Sequence, residues 1–150
     1  MKTIIIRHKK ENLKKCSLRG LEKDENILFI KYPYEQILDL SNYVILTIDA
    51  DIILSKKDVG KGILLIDSTW KYESKIIKKI ISHKTKFRTL PNIYKTAYPR
   101  KQTHCSNPQR GLASIEALYI AYSIVNKNKK GLLNYYYWKD EFLKINNLNS

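Results

Sequence analysis

The chain has 150 residues, 43% of them hydrophobic, enough apolar material for one packed core, which excludes a disordered chain. Cys16 and Cys105 lie far apart with no Cys-x-x-Cys partner, which excludes a disulfide framework or structural zinc site; both read as reduced thiols. No apolar run reaches the roughly 18 residues of a membrane span, and the N-terminal run is too short for a signal peptide, so a cytoplasmic location is expected.

Residues 3–6, Thr-Ile-Ile-Ile, predict a first strand, and the Lys-rich residues 13–21 a short helix. Residues 27–30 predict a second strand, residues 34–40 a helical turn after Pro33, and residues 43–48 a third strand. From Gly62 to Ile66 an unbroken apolar run suits a strand buried on both faces, and it delivers Asp67, Ser68, Thr69 and Trp70 at its end. Strands alternating with short helical pieces imply a mainly parallel α/β sheet. Ligands in such sheets gather beyond the carboxyl ends of the strands.

Residues 74–82 repeat Ile76, Ile77, Ile80 and Ile81 at amphipathic-helix spacing, with lysines opposite. Pro91, Pro99 and Pro108 mark residues 88–111 as a long loop system, of the kind that usually carries function. Residues 112–125 predict a helix apolar nearly all round, with Gly111 leading in and Ser114 as its cap; the free N–H groups of its first turn offer an anion site. After a turn at 126–130, a last helix is expected from 131 or 132 to 146, bearing Tyr135, Tyr136, Tyr137, Trp138 and Phe142.

The net charge of +14 is unevenly spread: residues 71–130 hold 14 bases against 2 acids, whereas residues 1–70 hold 12 against 10. Lysine-rich coding alone does not remove acids from one stretch, so a positive face for nucleic acid is favoured over a merely solvated surface. Asp67 reads equally as a partly desolvated general base and as a helix N-cap. Trp70 reads as core, or as a platform for a flat base or a sulfonium cation. Glu116 needs a partner inside its apolar helix, either Arg88, Arg110 or the helix's own N–H groups. His104 beside Cys105 is no ligand set, so no metal is expected, and His8 and His83 read as surface residues.

Several blocks in order resemble one family, the S-adenosylmethionine-dependent aminocarboxypropyltransferases that modify a uridine or pseudouridine of small-subunit ribosomal RNA. Lys14-Lys15-Cys16-Ser17 is similar to its Lys-x-Cys-Thr/Ser start, Leu54-Ser55-Lys56-Lys57-Asp58 to its Leu-Ser-Pro-x-Asp segment, and Asp67-Ser68-Thr69-Trp70 to its Asp-Cys-Ser-Trp. Arg88-x-Leu90-Pro91, the Leu112–Leu118 segment and Trp138-x-x-x-Phe142-x-x-x-Asn146 follow in family order. Two departures stand out: Lys56 replaces a proline, and Ala97-Tyr98-Pro99-Arg100-Lys101-Gln102 replaces the family's Ala-Asn-Pro-Val-Asn-Tyr-Gly loop. The DTW-domain enzymes, which place the same group on transfer-RNA uridine, are also similar around Asp67–Trp70 and Arg100-Lys101.

The resemblance implies a SPOUT-like α/β fold, with a mainly parallel sheet in residues 1–70 and a helical, knotted half in residues 71–150, joined as one compact unit. It implies S-adenosylmethionine as co-substrate, with Ser17 on the ribose, Leu54 and Trp70 flanking the adenine and sulfonium, and Ala113 and Ser114 holding the methionine carboxylate. Ile66, Asp67, Leu90 and Leu112 complete that pocket, and Asp67 also takes the uracil N3 proton. The implied RNA contacts are Lys14, Lys15, Arg88, Arg100, Lys101 and Arg110. A monomer acting on ribosomal RNA or a pre-ribosomal subunit is expected; the alternatives are the same transfer to transfer RNA, a non-catalytic RNA-binding assembly protein, and ordinary methyl transfer.

Overall fold

The structure, a computed structural model, describes residues 1–10, 16–68, 70–81, 84–99 and 111–149, with Trp70 and Lys71 described by backbone alone. Strands β1 (Thr3–His8), β2 (Ile27–Tyr32), β3 (Tyr43–Leu46), β4 (Gly62–Asp67) and β5 (Phe87–Arg88) form one sheet in the order β2-β1-β4-β3-β5. Every pairing in it is parallel. Helices α1 (Trp70–Ile80), α2 (Ser114–Ile124) and α3 (Lys139–Ile145) accompany it, with two short 3-10 turns at Leu21–Lys23 and Lys56–Asp58. None of these helices is long and apolar enough to cross a membrane.

Both central strands, β1 and β4, are buried at all six positions, as their unbroken apolar runs require. Alternation then sorts their side chains. Ile5, Val44, Ile63 and Leu65 pack with Leu18, Leu118 and Phe142 on the α2 face, whereas Ile4, Ile6, Ile45, Leu64 and Ile66 pack with Ile76 and Ile80 on the α1 face. Truncating a central residue such as Ile5 or Leu64 to alanine costs about 2–5 kcal/mol, by lost burial and the cavity left behind.

The connections make one place special. After β1 the chain passes to the α2 face, where Leu18 and Leu21 join the core, and after β4 it passes to the α1 face. Neighbouring strands that send their chains to opposite faces open a crevice at their carboxyl ends, the topological switch point of an open α/β sheet. Here Arg7 and Asp67 are register partners at that point.

Several local expectations change. Among the described part of residues 13–21 there is a turn followed by the 3-10 piece, because Gly20 takes φ 98° and Tyr135 lies where a side chain at position 20 would go. Residues 34–40 are irregular: Tyr34 is buried against the α1 face, and Asp39 accepts from the backbone and hydroxyl of Ser41. β3 ends at Leu46, and α1 starts at Trp70 rather than at residue 74. The two-residue β5 adds an edge strand to the expected four. Residues 131–138 are mainly turns, with Gly131 at φ 78°, so the last helix is only Lys139–Ile145.

Candidate functional site at the strand ends

Asp67 is 4% exposed, and its Oδ2 accepts from Arg7 Nε at 2.9 Å and from the Cys16 thiol at 3.2 Å. Arg7 is itself 9% exposed; its Nη1 reaches Glu22 Oε2 at 3.0 Å and its guanidinium lies 4.5 Å from the Phe29 ring centroid. Burial works against the Arg7 charge, but the Asp67 hydrogen bond and the surrounding acidic groups outweigh it and raise the Arg7 pKa. Cys16 goes the other way from an ordinary thiol: burial first, and the Asp67 charge next, push it up to about 12. It is therefore a proton-bearing donor to Asp67 rather than a nucleophile. Glu22 is held below the usual carboxylate range: burial opposes this, but its own backbone N–H, Arg7 and the Gly20 N–H prevail.

The remaining oxygen, Asp67 Oδ1, receives no hydrogen bond among the described residues. Every deeply buried side-chain nitrogen or oxygen among them has a partner, so Oδ1 is the atom of this carboxylate that solvent reaches. One oxygen is fixed and the other is open.

Residues 16 and 17 join this carboxylate to the helix start. Beside Cys16, Ser17 Oγ accepts the Ile115 N–H at 3.2 Å. The expected cap, Ser114, is instead the first helical residue; Ala113 is the N-cap, and Glu116 Oε1 accepts its N–H at 2.8 Å. Glu116, fully buried, also takes Thr96 Oγ1 at 2.6 Å, Ala97 N at 2.8 Å and Tyr136 Oη at 2.8 Å. Of the three partners expected for it, the N–H at the helix start is found, Arg110 lies outside the described residues, and Arg88 is engaged elsewhere, its Nε pairing with Asp58 at 3.3 Å and its Nη1 donating to the Phe87 carbonyl. Arg88, expected at the RNA, is thus a largely buried cation with its charge compensated. Asp58 also accepts from Lys61 and the Ser55 N–H; burial opposes ionisation there, but these donors and Arg88 hold its carboxyl below the usual range.

Of the residues expected at the cofactor, Leu54 is buried in the α2-face cluster, and Leu90 and Leu112 pack on it while staying half-exposed. Ala113 is buried and Ser114 half-buried. Ile66 does not join them: one residue before Asp67, its side chain lies in the α1-face cluster. The Trp70 side chain, Lys14, Lys15, Arg100, Lys101, Arg110, His83, His104 and Cys105 lie outside what the structure describes. Among the described residues no cluster of three or more His, Cys, Asp or Glu has the arrangement of a metal site.

Arg7 and Glu22 are the site residues that sequence reasoning missed. An arginine closing an Ile-Ile-Ile strand was the available signal, because a charge in a central strand needs a buried counter-charge. His8 was also misplaced: it is 6% exposed and stacked on Tyr72 with ring centroids 3.9 Å apart. Burial, then Lys10, Lys9 and Lys75, lower its pKa.

Parallel strands with an acid, a guanidinium and a helix start converging at the switch point define an α/β protein with one candidate site at its strand ends. Residues 44–149 match the model of the family described as ribosome biogenesis protein, C-terminal, and the chain belongs to that family. It is similar to the structure of the SAM-dependent rRNA:acp-transferase Tsr3 from Vulcanisaeta distributa, with 25% identity and a TM-score of 0.73. That similarity covers 97% of this chain and 79% of the Tsr3 chain. No curated protein matches significantly.

Proposed function

We propose that the protein transfers the 3-amino-3-carboxypropyl group of S-adenosylmethionine to N3 of a uridine or pseudouridine in small-subunit ribosomal RNA, releasing methylthioadenosine. One observation carries this reading: on a chain similar along 97% of its length to an SAM-dependent rRNA:acp-transferase, the switch point holds a carboxylate with one oxygen pinned and one open. The reading extends to a SPOUT-like, knotted topology with residues 1–70 and 71–150 as one unit, and to a monomeric cytoplasmic protein.

The residues present fit such a co-substrate. Leu90 and Leu112, half-exposed on the α2-face core with Leu54, offer an apolar wall; Ser17 and the α2 start offer polar groups and the positive end of a helix. The co-substrate's sulfonium supplies an electrophilic carbon, so the protein's task is to orient and to move one proton. Arg7 and Cys16 fix Asp67 Oδ2, which aims Oδ1 at the crevice; Oδ1 accepts the N3 proton as the new bond forms. Holding the reacting atoms at near-attack distance is the larger contribution. Proton acceptance is typically worth about 10²–10⁴-fold.

The test incubates the protein with S-adenosylmethionine and small ribosomal subunits, and identifies both the sulfur by-product and the RNA that gains mass. Methylthioadenosine with a mass gain on ribosomal RNA is expected; S-adenosylhomocysteine would replace the reading with methyl transfer. Asp67→Asn should slow turnover by about 10²–10⁴-fold with S-adenosylmethionine binding retained, and full activity in that variant would remove Asp67 from the reaction.

A further inference from the structure

On the α1 face of the sheet, aromatic rings follow one another from the end of β1. His8 stacks on Tyr72; Tyr32, its register partner on β2, lies 5.8 Å from it, and Tyr34 lies 6.1 Å from Tyr32. Lysines line this ladder. Lys10 Nζ is 5.8 Å from the Tyr72 centroid, and Lys79 Nζ is 3.9 Å from that of Tyr34 and 6.0 Å from that of Tyr32. Tyr72, Lys75 and Lys79 fall at i, i+3 and i+7 of α1, on one side of the helix. Lys9, Lys10 and Lys75 all act electrostatically on His8.

These cations differ from those that serve the fold. Arg7, Lys61 and Arg88 each face a carboxylate, but among the described residues Lys9, Lys10, Lys75 and Lys79 have none. A ring face holds an ammonium group by about 0.5–1 kcal/mol at an exposed site. It restrains the side chain and leaves the charge uncompensated. His8 and Tyr34 are buried and Tyr32 and Tyr72 are half-buried, whereas Lys9, Lys10, Lys75 and Lys79 are all exposed, so ammonium groups dominate this surface. A row of four exposed cations with no carboxylate partner among the described residues suits a polyphosphate backbone.

We propose that this ring-backed lysine track docks the phosphodiester backbone of the substrate RNA flanking the reactive nucleotide. It rests on the ribosomal-RNA reading of the Asp67 site and adds the path the RNA takes from it. His8 adjoins Arg7, the partner of Asp67, but points to the opposite face of the sheet. RNA leaving the crevice therefore passes over the carboxyl end of β1 onto α1.

The test compares two quadruple alanine variants of equal net charge: one at Lys9, Lys10, Lys75 and Lys79, the other at Lys2, Lys130, Lys139 and Lys144. Affinities for a small-subunit ribosomal RNA fragment and for oligouridine are measured over a salt series, with thermal midpoints confirming that both variants fold. Glutamine versions replace alanine ones if a midpoint falls. Each lost single-strand phosphate contact removes about 0.7 from the slope of log affinity against log salt. The track variant should lose about 2–3 in slope and at least about tenfold in affinity at low salt, and the control much less. Equal losses in the two variants, no loss in either, or a wild type that binds neither RNA would overturn the track. So would a track variant that loses polyglutamate binding but keeps RNA, which would point to an acidic protein instead. If the track variant shows the expected slope loss but the wild type releases no methylthioadenosine, the transfer reading fails and the track stands; unchanged RNA affinity in the track variant beside intact wild-type turnover gives the converse.

Discussion

Two buried carboxylates on the α2 side of the sheet are stabilised in opposite ways. Asp67 faces a guanidinium and a thiol through one oxygen and leaves the other open, whereas Glu116 fills both oxygens with four neutral donors. The partners tell the roles apart. Glu116 ties residues 96–97, the start of α2 and Tyr136 together, with no lone pair directed at a ligand, so it is architecture. Asp67 is charge-balanced, and its second oxygen accepts from no described residue, which is the capacity the proposed proton transfer uses. Burial alone would have ranked them the other way.

The largest effect should come from breaking the charge balance at Asp67. Arg7→Met strands a buried carboxylate and should cost about 3–5 kcal/mol, while the double variant Arg7→Met/Asp67→Leu should regain much of it. Chemical denaturation of the three proteins measures this. Glu116→Gln loses no cation among the described residues, but an amide must turn its NH2 toward either the Ala113 or the Ala97 N–H, at about 1–3 kcal/mol. Were Arg7→Met no worse than Glu116→Gln, the contrast between a charge-paired and a donor-saturated carboxylate would fail.

The sheet was legible where the chain was most apolar. Residues 3–6 and 62–66 read as strands because β-branched and Leu runs without polar relief admit little else, and that strand assignment by itself puts Asp67 at a strand end. β5 was not legible: two residues, Phe87 and Arg88, are paired only because β3 lies beside them, a purely tertiary cause. The final helix was overextended because its aromatic spacing is helical, yet Gly131 and the turn hydrogen bonds of residues 131–136 won locally. The Asp67 acid was visible in sequence, but its partners were not: Arg7 and Cys16 meet it from 60 and 51 residues away. Local pattern signals that Arg7 needs a counter-charge but not which residue supplies it.

A smaller effect sharpens the Glu116 side. Tyr136→Phe removes one donor of four, so the carboxylate keeps three and the loss should be about 1–1.5 kcal/mol, near the worth of a single hydrogen bond. Denaturation midpoints of Tyr136→Phe and Glu116→Gln should not add when combined, because both act on the same pair of oxygens.

The smallest effect tests the lysines around His8, and its sign follows from linkage. The folded-state pKa of His8 is lowered, by burial first and then by Lys10, Lys9 and Lys75. The unfolded chain, titrating near about 6.5, therefore binds more protons than the folded one as pH falls below that value. The His8 contribution to stability is complete above about 6.5 and declines as pH drops toward the folded pKa. Histidine resonances followed by NMR, assigned with His8→Gln, should show a pKa below the ordinary value that rises when Lys9, Lys10 and Lys75 are replaced by alanine. Added RNA should raise it as well, since phosphates on the track offset the same positive charge. A His8 pKa indifferent to both would mean that the lysines point away from the ladder, and the path from Asp67 across the end of β1 would lose its electrostatic basis.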